Sequence, residues 1–211
     1  MSGLTLSIWG AARSRAASLS YLCAMTLYIK NMVCPRCILA VEQTLAKLTH
    51  QSFKVSLGEV ALEKALPEKD LQTFRESLQS LGFELLDDQR QKQIEKIKNL
   101  LVTLIQKGEL EEHFSLSAYL GKALNKEYTS ISRLFSELEG MTIEQYFILL
   151  KMEKVKEWLA YDELTLSEIA WKLGYSSTAH LSAQFKKMTG LTPSHFKKTG
   201  NTRRTSLDKI V

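Results

Sequence analysis

From Ser115 onward the chain repeats itself at a fixed offset of 50 residues. "FSLSAYLGKALN" aligns with "LTLSEIAWKLGY", and "ISRLFSELEGMTIEQYF" with "LSAQFKKMTGLTPSHFK". Ser115 matches Thr165 and Leu116 matches Leu166; farther on, Phe135 matches Phe185, Gly140 matches Gly190 and Thr142 matches Thr192. Two copies are too few for a solenoid, which needs about three repeats to close a core. The pattern restricts this half of the chain to a duplicated small module.

Each copy reads as helix, turn, helix. In the second, Thr165 is a helix N-cap and Glu168 completes a capping box. Ile169, Ala170 and Leu173 point to a core, Gly174 ends the helix, and Ser176 or Ser177 caps the next one. That helix buries Leu181 and Phe185 and stops at Gly190. In the first copy Ser115 caps, Leu116, Leu120 and Leu124 pack, Asn125 takes the turn, and Ile131, Leu134 and Phe135 face inward. A second helix that enters the roughly 12 Å major groove of DNA must be small and polar on its outer face. The outward positions fit: Thr129, Ser130, Ser132 and Arg133 in the first copy, and Thr178, Ala179, Ser182 and Ala183 in the second. Lys186 and Lys187 follow one turn later. A plain helical hairpin with a solvated face is the bland alternative, and the aligned caps and glycines of two copies weigh against it.

"TIEQYFILLKMEKVKEWLAYDE" between the copies predicts a helix of about 17 residues, roughly 25 Å at about 1.5 Å per residue. Two recognition helices on one face of a duplex sit about 34 Å apart. Charge points the same way. Residues 171–211 hold eight bases and one acid, Asp208, a net of +7, while residues 25–90 hold eight bases and nine acids, a net of −1. A basic carboxyl-terminal end on a near-neutral body suits nucleic acid. No apolar run approaches the roughly 20 residues of a membrane-spanning helix, so a cytoplasmic protein without membrane contact is expected. The four histidines (His50, His113, His180, His195) show no ligand spacing, and no nucleophile-base-acid arrangement stands out, which argues against an enzyme.

Residues about 94 to 198 resemble the DNA-binding domain of the AraC/XylS family of bacterial transcription regulators. The carrying residues are "LSEIAWKLGYSSTAHLSAQFKKMTGLTPSHFK" and "SRLFSELEGMTIEQYF". The resemblance implies two helix-turn-helix motifs on adjacent major grooves of double-stranded DNA. It also implies a base-reading role for Arg133. Ala183 departs from the family pattern, which has an arginine there. Base reading by the second motif then falls to Thr178, His180 or Ser182, or gives way to backbone positioning with Ser176, Ser177, Lys186 and Lys187. His180 is equally readable as a plain helix-surface histidine. A homodimer is compatible with this reading.

The amino-terminal half reads differently. Residues 1–24 have no acids and many Ser and Ala, and are expected to be a disordered extension or the product of an upstream start codon; Cys23 has no role. Residues 25–89 read as βαββαβ. "LYIKNM" is a strand; Ile38, Val41, Leu45 and Leu48 recur at helical spacing. Phe53, Val55 and Leu57 alternate, as do Val60 and Leu62, around a Gly58-Glu59 hairpin with glycine at its first turn position, the type II′ signature. Leu71, Phe74, Leu78 and Leu81 mark a second helix stopped by Gly82, and "FELLDD" is a last strand. The order predicts a ferredoxin-like α+β sandwich. Residues 90–107 predict a linker helix with Ile94, Ile97, Leu101 and Leu104 on one stripe. Residues 108–199 then form the tandem helix-turn-helix domain, and 200–211 a basic tail.

"NMVCPRC" holds Cys34 and Cys37 between the first strand and first helix. Two thiolates at i and i+3 suit a soft ion such as Cu(I). The helix N-terminus and Arg36 are expected to lower both thiol pKa values. Met32 is a weaker ligand candidate that packs under such a loop more often than it coordinates. The loop and fold resemble heavy-metal-associated domains of the metallochaperone type, through Met32, Cys34, Cys37 and the Gly82-Phe83 pair, with Asn31 where that family has glycine. A disulfide switch, an interaction module and a purely structural cysteine pair stay open beside the metal. So does a metal-delivery protein whose helical half docks partners. On the regulator reading, ligation at the pair would reorder the 31–37 loop and alter its packing on the linker helix.

Overall fold

The computed structural model describes residues 25–111, 114–199 and 207. The 1–24 extension with Cys23, the basic tail apart from Leu207, and His113 lie outside the described residues. Among the described residues no helix is long and apolar enough to cross a membrane.

The first six elements are β1 (Met25–Lys30), α1 (Pro35–Ala46), β2 (Phe53–Ser56), β3 (Glu59–Leu62), α2 (Glu68–Ser80) and β4 (Glu84–Leu86). The strands form one sheet in the order β2-β3-β1-β4, and every neighbouring pair is antiparallel. Side chains alternate across the sheet. Leu27, Ile29, Val60 and Leu62 therefore share one face and bury against Val41 and Leu45 of α1 and Phe74 and Leu78 of α2. Pro35 opens α1, where its missing N–H costs nothing. Leu81, expected to pack, is half exposed past the end of α2.

The β2–β3 turn differs from the expectation. Ser56 pairs with Glu59, so the two turn residues are Leu57 and Gly58. Gly58 is the second of them, with φ +76°. A positive φ there alone is the type II signature, not II′. The alternation had placed Leu57 in the strand, which shifted the turn by one. The glycine is also required by space. A Cβ on it would lie 1.9 Å from Asn99 Nδ2, so a helix passes close over this turn.

That helix is α3 (Gln89–Lys107). The Asp88 carboxylate caps it by accepting from the Arg90 and Gln91 N–H groups, each at 2.9 Å. It lies on β1 and β4, over the sheet face that α1 and α2 leave open. Its own apolar stripe, Ile94, Ile97, Leu101, Val102 and Ile105, belongs to the second core. Leu104 is only partly buried there. The second core is closed by α4 (Leu116–Leu124), α5 (Tyr128–Glu139), α6 (Ile143–Tyr161), α7 (Leu166–Lys172), α8 (Thr178–Thr189) and α9 (Pro193–Lys198). α3 is thus the shared wall of both halves.

The 50-residue offset survives in three dimensions. α5 and α8 begin and end at matching positions, and each stops at a left-handed glycine, Gly140 and Gly190. Thr142 and Thr192 cap α6 and α9 through their hydroxyls. Thr165 and Glu168 make the expected capping box. The two turns differ: the left-handed residue is Asn125 in the first and Gly174, one position earlier in register, in the second.

Candidate functional site

Burial sorts the residues of α5 and α8 by face. On α5, Ile131 and Phe135 are buried, Thr129, Ser130 and Arg133 are exposed, and Ser132 is half-buried. On α8, Leu181 and Phe185 are buried, His180, Lys186 and Lys187 are exposed, and Thr178 and Ser182 are half-buried. Ser177 caps α8, its hydroxyl accepting from the His180 N–H at 3.1 Å; Ser176 does not cap but lies 3.4 Å from His180 Nδ1. The His180 ring stands edge-on to Tyr175 at 5.4 Å. Each outer face is small and polar, and α6, at 19 residues, separates the two by roughly 28 Å of helix.

The two faces carry different charges. Arg133, with 81% of its side chain exposed, lies 3.8 Å from Glu137 one turn on. Arg90 of α3 reaches the same Glu137 at 2.6 Å. Lys98 of α3 holds Glu139 at 2.8 Å. The position matching Glu137 in α8 is Lys187. In the second module the turn is fixed from behind. Lys151 of α6 donates to the Leu173 carbonyl at 2.9 Å and sits 4.9 Å from the Tyr175 ring centre. Burial drops its pKa to about 8.

The cysteine loop lies at the seam between the halves. Cys34 is the N-cap of α1, and its Sγ is 3.4 Å from that of Cys37. Burial raises the Cys34 pKa, but hydrogen bonds from the Cys37 backbone and thiol, from the Arg36 N–H, and the Arg36 charge more than offset it, so the thiol is lowered. Cys37 goes the other way. It packs on the sheet core, and burial together with the neighbouring Cys34 charge raises it. The expectation that both thiols are lowered is therefore half right: proximity to Arg36 and a helix start is visible in sequence, burial is not. Met32 is fully buried among the sheet core residues, so its thioether is not offered to a ligand at the loop. Among the described residues no group of three or more His, Cys, Asp or Glu is arranged to hold a metal. Among the described residues the loop offers two thiols, a number that suits a two-coordinate soft ion and not a tetrahedral one, and the pair would have to part from 3.4 Å to hold such an ion in line.

The loop touches both cores. Met32 enters the sheet core, and Val33, the next residue, packs on the helical core. The Gln106 amide donates to the Val33 carbonyl. Cys34 lines a cleft of about 660 Å³ whose opposite wall is α6, with Glu153, Lys154 and Glu157. Asn31, left-handed at φ 72°, donates its side chain to the Gly82 carbonyl and its backbone N–H to Glu95. Glu95 is buried, its pKa raised by that burial, and shares Lys98 with Glu139 at the end of α5. A continuous polar path therefore runs from the cysteine loop to the end of α5. Sequence reading missed it, because Glu95 and Lys98 look like ordinary solvated positions of a polar helix.

Residues 120–199 match the family model described as a helix-turn-helix domain. The uncharacterized HTH-type transcriptional regulator YtdP of Bacillus subtilis is 24% identical over 152 residues, 68% of this chain and 19% of its own length. The HTH-type transcriptional activator RhaR of Salmonella dublin is 28% identical over 107 residues, 51% of this chain and 37% of its own. Among solved structures, the C-terminal domain of the response regulator AraT from Geobacillus stearothermophilus aligns at TM-score 0.44 and 26% identity, over 54% of this chain and 88% of that one. The DNA-binding domain of AdpA, solved in complex with a target DNA, aligns at TM-score 0.41 and 19% identity, over 50% and 96%. The chain spans well under half the length of these curated relatives. Residues 120–199 thus match a helix-turn-helix domain, and this half of the chain is similar in sequence to transcriptional regulators such as RhaR.

Proposed function

We propose that the chain is a sequence-specific regulator of transcription of the AraC type, working in a bacterial cytoplasm. α5 and α8 enter successive major grooves. Thr129, Ser130, Ser132 and Arg133 meet bases or backbone in the first; Ser176, Ser177, Thr178, His180 and Ser182 do so in the second, with Lys186 and Lys187 on phosphates. The observation that carries this is the exact 50-residue correspondence of α5 with α8, each with a small, polar outer face. A metal-delivery role for the chain is not favoured by a helix-turn-helix domain. The test is selection from a random duplex pool. Enrichment of two half-sites about 10.5 bp apart, with affinity falling steeply between about 50 and 200 mM salt, is expected. A pool that enriches nothing sinks the reading.

The amino-terminal βαββαβ unit is, in this proposal, a ferredoxin-like sensor with Cys34 and Cys37 as its input. The split strand order supports the fold, and the loop's hold on both cores supports the coupling. The two thiols, one lowered and one raised, suit either capture of a soft cation such as Cu(I) or closure to a disulfide. Metal titration of the wild type beside Cys34→Ser/Cys37→Ser under reducing conditions, with duplex affinity followed at each step, separates these. Identical behaviour of the two proteins removes metal capture as the input and leaves the regulator; the same comparison with a thiol oxidant in place of the metal tests the disulfide.

A further inference from the structure

A second opening lies on the other side of α3, remote from the cysteines in sequence and in lining. It consists of two adjoining cavities, of about 320 Å³ and about 490 Å³, that share Lys96, Ala123 and Leu124 as a common wall. Three parts of the fold wall it: the sheet with its β2–β3 turn, through Tyr28 and Leu57, α3, and the α4–α5 turn of the first helix-turn-helix motif. The combined space falls in the range of about 300–1,000 Å³ typical of small-molecule sites.

Its two ends differ chemically. The smaller cavity is lined by Lys92, Lys96 and Lys126, the first two over the Tyr28 ring, with Gln93 and Ser130 as further donors. Lys92 and Lys96 stand 5.5 and 5.1 Å from the Tyr28 ring centre. Lys96 pairs with Glu59 at 3.1 Å. Among the described residues no carboxylate pairs with Lys92 or Lys126. Three lysines against one glutamate leave two positive charges uncompensated. The larger cavity offers the apolar side chains of Leu57, Leu100, Ala123 and Leu124, with Ser56, Asn99, Thr103 and the paired Glu59 and Lys96 along its edge. Cationic at one end and apolar at the other, the opening is complementary to an anion with a hydrophobic body.

We propose that this cleft binds a small amphipathic organic anion. Its charged head lies between Lys92 and Lys126, and its apolar body runs past Lys96 toward Leu57 and Leu100. Such a ligand ties the start of α3 to the turn that presents α5, with Ser130 beside the head. The consequence for DNA rests on the regulator reading above; the binding does not.

The test uses the full chain and the fluorescent anilinonaphthalene sulfonate as probe. Expected is saturable binding of one probe per chain, weakened about tenfold by Lys92→Gln/Lys126→Gln, a loss of about 1.4 kcal/mol. Phenylnaphthylamine, the uncharged relative of the probe, is expected to bind the double variant as it binds wild type. Ala123→Trp, which fills the apolar arm, is expected to weaken both dyes. Inorganic phosphate is expected to displace the sulfonate only weakly, since it has no body for that arm. Circular dichroism checks that each variant is folded. Unchanged sulfonate affinity in the lysine variant, equal dye affinities in wild type, or displacement by phosphate alone at matching concentration overturns the proposal. Duplex affinity measured with and without the sulfonate then reads the regulatory consequence separately: a chain that binds the dye but no duplex keeps the site and loses the regulator.

Discussion

The two helix-turn-helix modules agree inside and disagree outside. Phe135 and Phe185 occupy matching buried positions, one against Tyr146 and the other against Phe196. Their outer faces have diverged. α5 carries Arg133 beside an acid that α3 also grips, whereas α8 carries Ala183 and a lysine pair. Packing tolerates little change in shape, while a solvated face is free to vary. The first module is therefore the one the amino-terminal half can reach, and the second an anchor set from behind by α6.

The comparison is tested most severely through the cores. Phe135→Ala and Phe185→Ala should each cost about 3–5 kcal/mol of unfolding free energy. Urea titrations followed by circular dichroism measure both. A cost in one module less than half that in the other would show that the duplicated cores are not equivalent. Next come the faces. Arg133→Ala should lose about 1–3 kcal/mol at one base pair of one half-site and little elsewhere. Lys186→Ala/Lys187→Ala should weaken all sequences alike and lower the salt slope by about two. A uniform loss from Arg133→Ala would make it a phosphate contact and remove the asymmetry.

The anchoring of the second module has a pH signature. Folded Lys151 gives up its proton at about 8, whereas the unfolded chain holds it to the ordinary lysine range. Between those values the unfolded state binds more protons, so stability should rise with pH from about 8 to 9.5, by roughly 1–2 kcal/mol. Lys151→Met should lack the rise; denaturation of both proteins across that window decides it. The smallest effect concerns the caps. Ser177→Ala should cost about 1 kcal/mol, whereas Glu127→Ala, at the matching place before α5, should cost almost nothing, since Glu127 makes no side-chain cap. Equal losses in thermal or urea unfolding would contradict the difference between the two turns.

The helical half was largely legible in its residues because its determinants are local. Caps such as Thr165 with Glu168, and glycines at helix ends, act within a few positions of themselves. The four strands and the order of elements followed from alternation and helical spacing, although alternation places Leu57 in a strand and so displaces the turn. What stayed hidden depends on partners far along the chain. Lys92 and Lys126 meet only because α3 lies beside the α4–α5 turn, and the opposite titration of Cys37 depends on burial that no neighbour in sequence reveals. The role of α3 as a common wall was half visible: its apolar stripe announced one packing partner, and the polar residues Lys92 and Lys96 concealed the other.

Met32 and Val33 are consecutive, yet each is held in a different core. One peptide unit thus works as a rivet through the seam. Cutting the chain after α3 strips the helical core of its wall and leaves the apolar stripe of α3 exposed, whereas cutting before α3 bares the sheet face that it covers. The two halves should therefore melt together in a single calorimetric transition. Transplanting this sheet onto another helix-turn-helix domain would succeed only if the recipient supplied a socket for Val33.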